Sequence, residues 1–333
     1  MLVTGAAGSI GSELCRQIAS FRPRVIVAFD ISETGLFHLD REMRKTFPEI
    51  SFSPEIGNVQ NGLRIDEVIQ RYHPAILYHA AAYKHVPLME ANAFEAVENN
   101  VLGTWNVAVA SERHGVKDFV FISSDKAVRP ASIMGATKRL SELMIAGLSD
   151  NSIKFVSVRF GNVLESSGSV IPVFKEQIAS GGPVTITHPD MQRYFMSVTE
   201  ASQMVLQAST MGAGREIFVL DMGQPVRIAD LARDLIARAG REQDSDIGIE
   251  FTGIRPGEKL REELNLHDET MLTTSHEKIR IFAGQGLPSG AARSCAERVR
   301  GICAGRDLAA LVQLLTELIP DYSPSDYLLA GIE

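Results

Sequence analysis

Along the first half of this chain, short unbroken apolar runs alternate with longer stretches in which apolar residues recur at helical spacing. The runs Leu2–Thr4, Val25–Asp30, Ile76–His79, Phe119–Ser123 and Phe155–Phe160 are too short for helices and show little polar alternation, so they predict strands buried on both faces. Between them, Gly11–Ser20, Thr34–Thr46, Arg64–Tyr72, Ala91–His114 and Ala136–Leu148 predict crossover helices. A β-α-β-α succession of this kind builds a parallel, doubly wound α/β sheet with helices on both faces. After Phe160 the rhythm breaks into loops around Gly168, Gly181, Gly182 and Pro183, before a helix at Ile228–Arg238. A smaller α/β lobe is expected there. Ile217–Asp221 reads as a strand returning to the main sheet, so the lobes interleave. Residues 1–165 with a return segment of about 200–226 make the larger lobe; 166–199 and 227–333 make the smaller one.

Composition narrows what such a fold can do. The 333 residues are 45% hydrophobic, enough for a large core. The formal charge is −8 and the basic residues are scattered, which gives no surface for nucleic acid held by counterion release. Cys15, Cys295 and Cys303 form no CxxC pair and are too few for a disulfide framework, as in a reducing cytoplasm, and no metal site is expected. There is neither an apolar run of bilayer-spanning length nor a signal-peptide pattern. Only Met1, Leu2 and Val3 precede Thr4, whereas a buried strand usually has about five or six residues. Either the strand is short or the chain is a catalytic domain cut from a longer protein.

Thr4-Gly5-Ala6-Ala7-Gly8-Ser9-Ile10-Gly11 follows the first strand and opens the first helix. Glycines at 5, 8 and 11 allow a tight turn and close approach of a pyrophosphate to the amides of a positive helix end, which predicts a bound dinucleotide. Asp30 closes the second strand, where a carboxylate accepts hydrogen bonds from the adenosine ribose and repels a 2′-phosphate. NAD is expected over NADP. Asn58, in Gly57-Asn58-Val59, resembles the Asp-Val or Asn-Val that contacts adenine in extended dehydrogenases, and the small Ala80 and Ala81 let the chain pass beneath the dinucleotide.

Ser124, Asp125 and Lys126 lie at the carboxyl end of the Phe119–Ser123 strand, where open α/β sheets bind ligands. Lys138 lies four residues after Met134, on the same helix face. In short-chain dehydrogenases those two positions hold the Tyr–Lys pair, and a thioether cannot replace the phenol as a base. The segments ISSDKAVRPASIMGATKR, HAAAYKHVPLMEANAFEAVENNVLGTWNVA, RFGNVLESSGSVIPVF and THPDMQRYFMSVTEA resemble the UDP-N-acetylglucosamine 4,6-dehydratase family of extended short-chain dehydrogenases, over almost the whole chain. The Met at 134 is similar to that of its large membrane-anchored members, whose transmembrane helices precede the catalytic domain. The resemblance implies a Rossmann fold, a tightly held NAD, a UDP-sugar substrate and a homodimer paired through the Ala91–His114 and Ala136–Leu148 helices. It also implies a location in the cytoplasm, or on the cytoplasmic face of the inner membrane if an anchor precedes the chain.

By the same resemblance, Asp125 protonates the departing C6 hydroxyl, Lys126 removes the C5 proton, Lys138 holds the nicotinamide ribose and Ser124 bonds the C4 oxygen, with a relay toward Lys138. Lys84 faces the cleft, and Asn100 supports it. Asn162, Arg193, Arg255 and Glu258 match the family's diphosphate and ribose contacts, and Thr187, with Thr185, falls on a strand near the uracil. The rivals are a UDP-hexose 4-epimerase, which has no use for an acid at C6, and a regulatory module that binds NAD without turnover.

Overall fold

The computed structural model describes residues 1–148, 153–166, 168–264, 271–282, 286–288 and 290–332. Its first half runs β1 (Leu2–Thr4), α1 (Ser9–Ser20), β2 (Ile26–Asp30), α2 (Glu33–Thr46), β3 (Phe52–Ile56), α3 (Gly62–Tyr72) and β4 (Ile76–His79). Local chemistry starts the helices: the Ser32 side chain accepts from the Gly35 amide at 3.1 Å, and the Asn61 side chain from that of Arg64 at 3.1 Å. β3 is a strand the apolar pattern does not announce, because Pro54 and Glu55 interrupt it. It lies at the sheet edge beside β2, where a residue without an amide proton is tolerated.

The chain continues through α4 (Val86–Ala91), α5 (Ala93–Val97), α6 (Gly103–Arg113), β5 (Asp118–Ile122), α7 (Ile133–Leu148) and β6 (Lys154–Arg159). Neighbouring residues of one strand point to opposite cores. Leu2, Val27 and Phe119 pack on one face of the sheet, and Val3, Ala28 and Val120 on the other. Burial on both faces is why these strands carry unbroken apolar runs. The helix expected over 91–114 is interrupted by a π-helical turn at Glu98–Leu102, which carries Asn100. Asn100 bonds both backbone groups of Tyr83 and the Thr137 hydroxyl, tying the end of β4 to α7. A π turn re-aims a side chain that a regular helix would direct elsewhere.

The second half holds β7 (Asn162–Val163), α8 (Val170–Ala179), β8 (Val184–Ile186), β9 (Gln192–Arg193), β10 (Phe195–Met196), α9 (Val198–Met211), β11 (Ile217–Leu220), β12 (Val226–Arg227), α10 (Ile228–Arg238), β13 (Ile249–Phe251), β14 (Met271–Thr273) and β15 (Ile279–Phe282). A separate small core of Phe174, Val184, Ile186, Ile228 and Ile236 holds α8, α10 and the parallel pair β8–β13 together. β11 returns to pair with β6 in parallel, as its apolar run implied. The nine-stranded sheet has the order β14-β15-β11-β6-β5-β4-β1-β2-β3, parallel except that β15 runs against β11 and β14 against β15. It is the doubly wound fold expected from the sequence. β14 and β15, which lie in the segment expected to form the smaller lobe, pair instead with the large sheet.

The chain ends in α11 (Ala291–Gly305), α12 (Leu308–Leu318) and α13 (Asp326–Ala330). Ala292, Cys295, Val299, Leu311 and Leu315 join the large-lobe core beside Leu140, Met144 and Ile145 of α7. Thirteen of the sixteen α7 residues are buried within this single chain. α11 and α12 pack against α7 within this chain, so part of the α7 surface is covered without a partner. Among the described residues, no helix is long and apolar enough to cross a membrane.

Candidate active site

The glycine turn forms as its spacing requires. Gly5 has φ of +68°, and a Cβ there would lie 2.5 Å from the Ala81 amide nitrogen; on Gly11 it would lie 2.0 Å from the Gly5 carbonyl oxygen. Only glycine allows this three-way approach of turn, helix and β4 end. Gly8 precedes the helix, and its carbonyl accepts from the Ser12 amide as the first bond of the helical ladder, which leaves the helix N-terminus facing the glycine turn. The Asp30 carboxylate accepts from the Ala7 amide at 2.9 Å and the Ser32 amide at 2.8 Å, which braces the turn against β2. Asn58 makes a local turn through its side-chain oxygen and the Gln60 amide. Gly5, Gly8, Asp30, Asn58, Ala80 and Ala81 line one cleft of about 290 Å³. A helix N-terminus, a close-packed glycine floor and a carboxylate at the second strand end together fit a dinucleotide.

Beyond β5 the chain stays pinned to its neighbour: the Ser123 amide bonds the Val158 carbonyl and the Asp125 amide that of Phe160. Asp125, Lys126 and Ala127 then make one 3₁₀ turn whose N-cap is Ser124. Asp125 is 1% exposed, and its Oδ1 accepts from the Ser124 hydroxyl at 2.8 Å and from Lys126 Nζ at 3.0 Å. Its Oδ2 is buried without a hydrogen-bond partner among the described residues. Lys126 Nζ also donates to Asn162 Oδ1 at 3.2 Å and stands 3.5 Å from Glu262 Oε1. Burial alone would lower the pKa of Lys126, but the charges of Asp125 and Glu262 outweigh it and hold the amine above its ordinary range. The Ser124 hydroxyl donates to Asp125 Oδ1 in this arrangement.

Lys138 Nζ donates to the Ile122 carbonyl at 2.8 Å and lies 4.6 Å from the centroid of the Phe121 ring. Burial in this apolar setting brings its pKa down to about 7. Met134, one turn earlier, belongs to the large-lobe core and is 2% exposed. Lys84, just past β4, reaches the Ser166 hydroxyl at 3.4 Å, and burial and the Lys126 charge both lower its pKa. Burial lowers the pKa of His85, and the charges of Lys84 and Arg255 lower it further.

On the substrate side, Arg193 on β9 donates to the Gln192 and Leu260 carbonyls and approaches Glu262 to 3.9 Å. Asp125, Lys126, Asn162, Glu262 and Arg193 thus form one buried chain of contacts. Arg255 and Glu258 bond each other at 2.5 Å on a more exposed loop and are not drawn into it. Thr185 lies on β8, and Thr187 one residue beyond its end, so the expected strand stops short of it.

Two carboxylates of this region escaped the sequence reading. Glu142 on α7 accepts from the Ser123 hydroxyl and from Arg159 Nε and Nη2, beneath the strand end that carries Asp125. Arg159, charged at the end of an apolar run, was the available signal. Glu262 follows Arg255-Pro256-Gly257-Glu258 by only a few residues, but nothing in the spacing aims it at Lys126.

The family described as "Polysaccharide biosynthesis protein" matches residues 1–283. The capsular polysaccharide biosynthesis protein CapD of Staphylococcus aureus is 55% identical over 282 residues, which are 84% of this chain and 47% of that protein, so the chain spans about half its length. A UDP-glucose 4-epimerase of Rickettsia canadensis is 36% identical over 274 residues (79% of this chain, 76% of that protein). The inverting UDP-N-acetylglucosamine 4,6-dehydratase of Campylobacter jejuni is 31% identical over 283 residues (83% and 80%). Among solved structures, Pen from Bacillus thuringiensis superposes with a TM-score of 0.77 at 33% identity, covering 87% of each chain. The dTDP-glucose 4,6-dehydratase DesIV of Streptomyces venezuelae, solved with NAD bound, shares the fold with a TM-score of 0.69 at 21% identity, covering 92% of this chain and 97% of that one. A glycine-floored cleft, an Asp–Lys pair at a parallel strand end and a family match over most of the sequence agree, and the chain belongs to the polysaccharide biosynthesis protein family of extended short-chain dehydrogenase fold.

Proposed function

We propose that this chain is a UDP-N-acetylglucosamine 4,6-dehydratase that uses NAD and supplies a UDP-4-keto-6-deoxy-N-acetylhexosamine for bacterial surface polysaccharide. The observation that carries the reading is the Asp125–Lys126 pair, with a buried carboxylate 3.0 Å from the amine at the end of β5. Elimination needs a base at C5 and an acid at the C6 hydroxyl. Moving one proton from Lys126 Nζ to Asp125 Oδ1 turns the ion pair into both at once. The neutral amine then takes the C5 proton, the carboxylic acid gives its proton to the leaving hydroxyl, and water departs. Lys126 is again an ammonium and Asp125 a carboxylate, so no outside proton is consumed.

NAD, when bound, accepts the C4 hydride and returns it to C6. Gly5, Gly8, Ser9, Ile10 and Gly11 would hold its pyrophosphate, Asp30 its adenosine ribose, Asn58 the adenine side and Lys138 the nicotinamide ribose. The Asp30 charge favours NAD over NADP. Arg193 and Arg255 would meet the substrate diphosphate, Glu258 its ribose, and Thr187 the uracil side. Met134 exchanges no proton.

A second reading, UDP-hexose 4-epimerase, is favoured by the epimerase relative. It leaves the Asp125–Lys126 acid–base couple without a task, since epimerisation removes no hydroxyl. Incubation with UDP-N-acetylglucosamine in heavy water, followed by NMR, separates the two. A 4-keto-6-deoxy sugar with deuterium at C5 is expected. A C4 epimer, or an unchanged sugar in the presence of folded, cofactor-loaded protein, would overturn the proposal.

A further inference from the structure

Behind the Asp125–Lys126 pair stands a carboxylate that the elimination itself does not use. The Glu262 side chain is 4% exposed. Its Oε1 lies 3.5 Å from Lys126 Nζ and 3.9 Å from Arg193 Nε, and its Oε2 is buried without a hydrogen-bond partner among the described residues. Burying a carboxylate with one oxygen unmatched is unfavourable unless nearby cations offset it. Here the offset comes from the proposed base itself and from an arginine on the substrate side.

We propose that Glu262 is a positioning residue for Lys126: it holds the amine between Asp125, Asn162 and itself, and its charge sets the pH at which the Asp125–Lys126 pair gives up its shared proton. The proposal rests on the dehydratase reading for its catalytic consequence, but not for its electrostatics. The groups facing Lys126 are Asp125 from its own turn, Asn162 from β7, Arg193 from β9, Lys84 from the end of β4 and Glu262 from the loop after Arg255. Two carboxylates here balance the ammonium and the Arg193 guanidinium, with Lys84 as a further positive influence. Without the Glu262 charge the cluster gains a net positive charge, and the ammonium is the group able to relieve it by losing a proton.

Sign and size follow. An opposite charge within about 4–6 Å moves a pKa by roughly 1–3 units, so Glu262→Gln should lower that of Lys126 by about that much. Elimination needs one proton shared by the pair. Its loss from Lys126 at lower pH should therefore bring the alkaline limb of the pH–kcat profile down by a similar amount, with KM for the nucleotide sugar little changed.

Lys126 can be titrated by NMR after reductive ¹³C-methylation of the lysines, its signal being assigned by its disappearance in Lys126→Arg. Wild type, Glu262→Gln and Glu262→Asp are compared, with thermal melts to show that each is folded. The expected result is a lowered Lys126 pKa in the Gln variant and a partial return in the Asp variant, which keeps the charge. An unchanged Lys126 pKa in a folded Gln variant would overturn the proposal. Should the Gln variant not fold, the Asp variant decides, because drawing the carboxylate back by one methylene should still lower the pKa. If the wild type forms no 4-keto-6-deoxy product, the dehydratase reading fails, while the titration still decides the role of Glu262.

Discussion

Arg159 grips Glu142 through two bonds of 2.8 and 2.7 Å, in a place where neither side chain is more than 1% exposed. The pair joins β6 to α7 directly under Ser123, so it fixes the strand end from which Asp125 projects. Removing one member of a buried pair leaves the other charge uncompensated, and Glu142→Gln should cost ~3–5 kcal/mol of stability by urea denaturation. Burial alone would raise the Glu142 pKa, but Arg159 and the other donors hold it below the carboxylate range. The unfolded state therefore binds the proton first. This contribution is complete above about pH 4.5 and is lost as the pH falls through the folded value, and the Gln variant should lack that acid-side loss.

The division of labour around the pair predicts unequal effects for neighbouring substitutions. Asp125→Asn removes the acid, and dehydration turnover should fall ~10²-fold or more. Lys126→Ala should fall comparably while bound NAD is still reduced by substrate, which NADH absorbance would reveal. Met134→Leu changes one buried apolar side chain for another and should leave turnover nearly intact. A folded, cofactor-loaded Met134→Leu variant as inactive as Asp125→Asn would refute this assignment.

Burial of the Lys138 amine carries a stability cost. Its folded pKa of about 7 lies below the unfolded value of about 10.4, so between these pH values the unfolded chain holds a proton that the folded chain lacks. Stability from this group rises with pH across that window. In cofactor-free protein, Lys138→Met should be more stable than wild type near pH 7, and the difference should shrink toward pH 10. Melting curves at several pH values test it, and a gap that widens with pH would contradict it.

The C-terminal helices give a prediction about assembly. Val299 on α11 is fully buried in the large-lobe core. Val299→Asp should cost ~3 kcal/mol or more by placing an unpaired charge there. Because α11 and α7 meet within one chain, the loss should appear as a lower melting temperature that does not depend on protein concentration. A concentration-dependent shift confined to the variant would mean that this helix surface also serves a partner.

The sequence by itself determined the doubly wound sheet and the glycine turn, and the physical reason is local. A strand buried on both faces must be apolar throughout, as at Phe119–Ile122, and only glycine fits where a Cβ would meet the Gly5 carbonyl or the Ala81 amide. Asp125 and Lys126 were legible because two charges at the end of an apolar run are costly unless partnered. What only the tertiary structure decided depends on residues distant in the chain. β3 hid behind Pro54 because edge strands tolerate what interior strands do not. The return of β14 and β15 to the main sheet, and the covering of α7 by α11 and α12, were undecided because an amphipathic stripe shows that a face will be buried and not what will bury it. Glu142 and Glu262 read as ordinary surface carboxylates until the fold placed one beneath Ser123 and the other beside Lys126, 136 residues away in sequence.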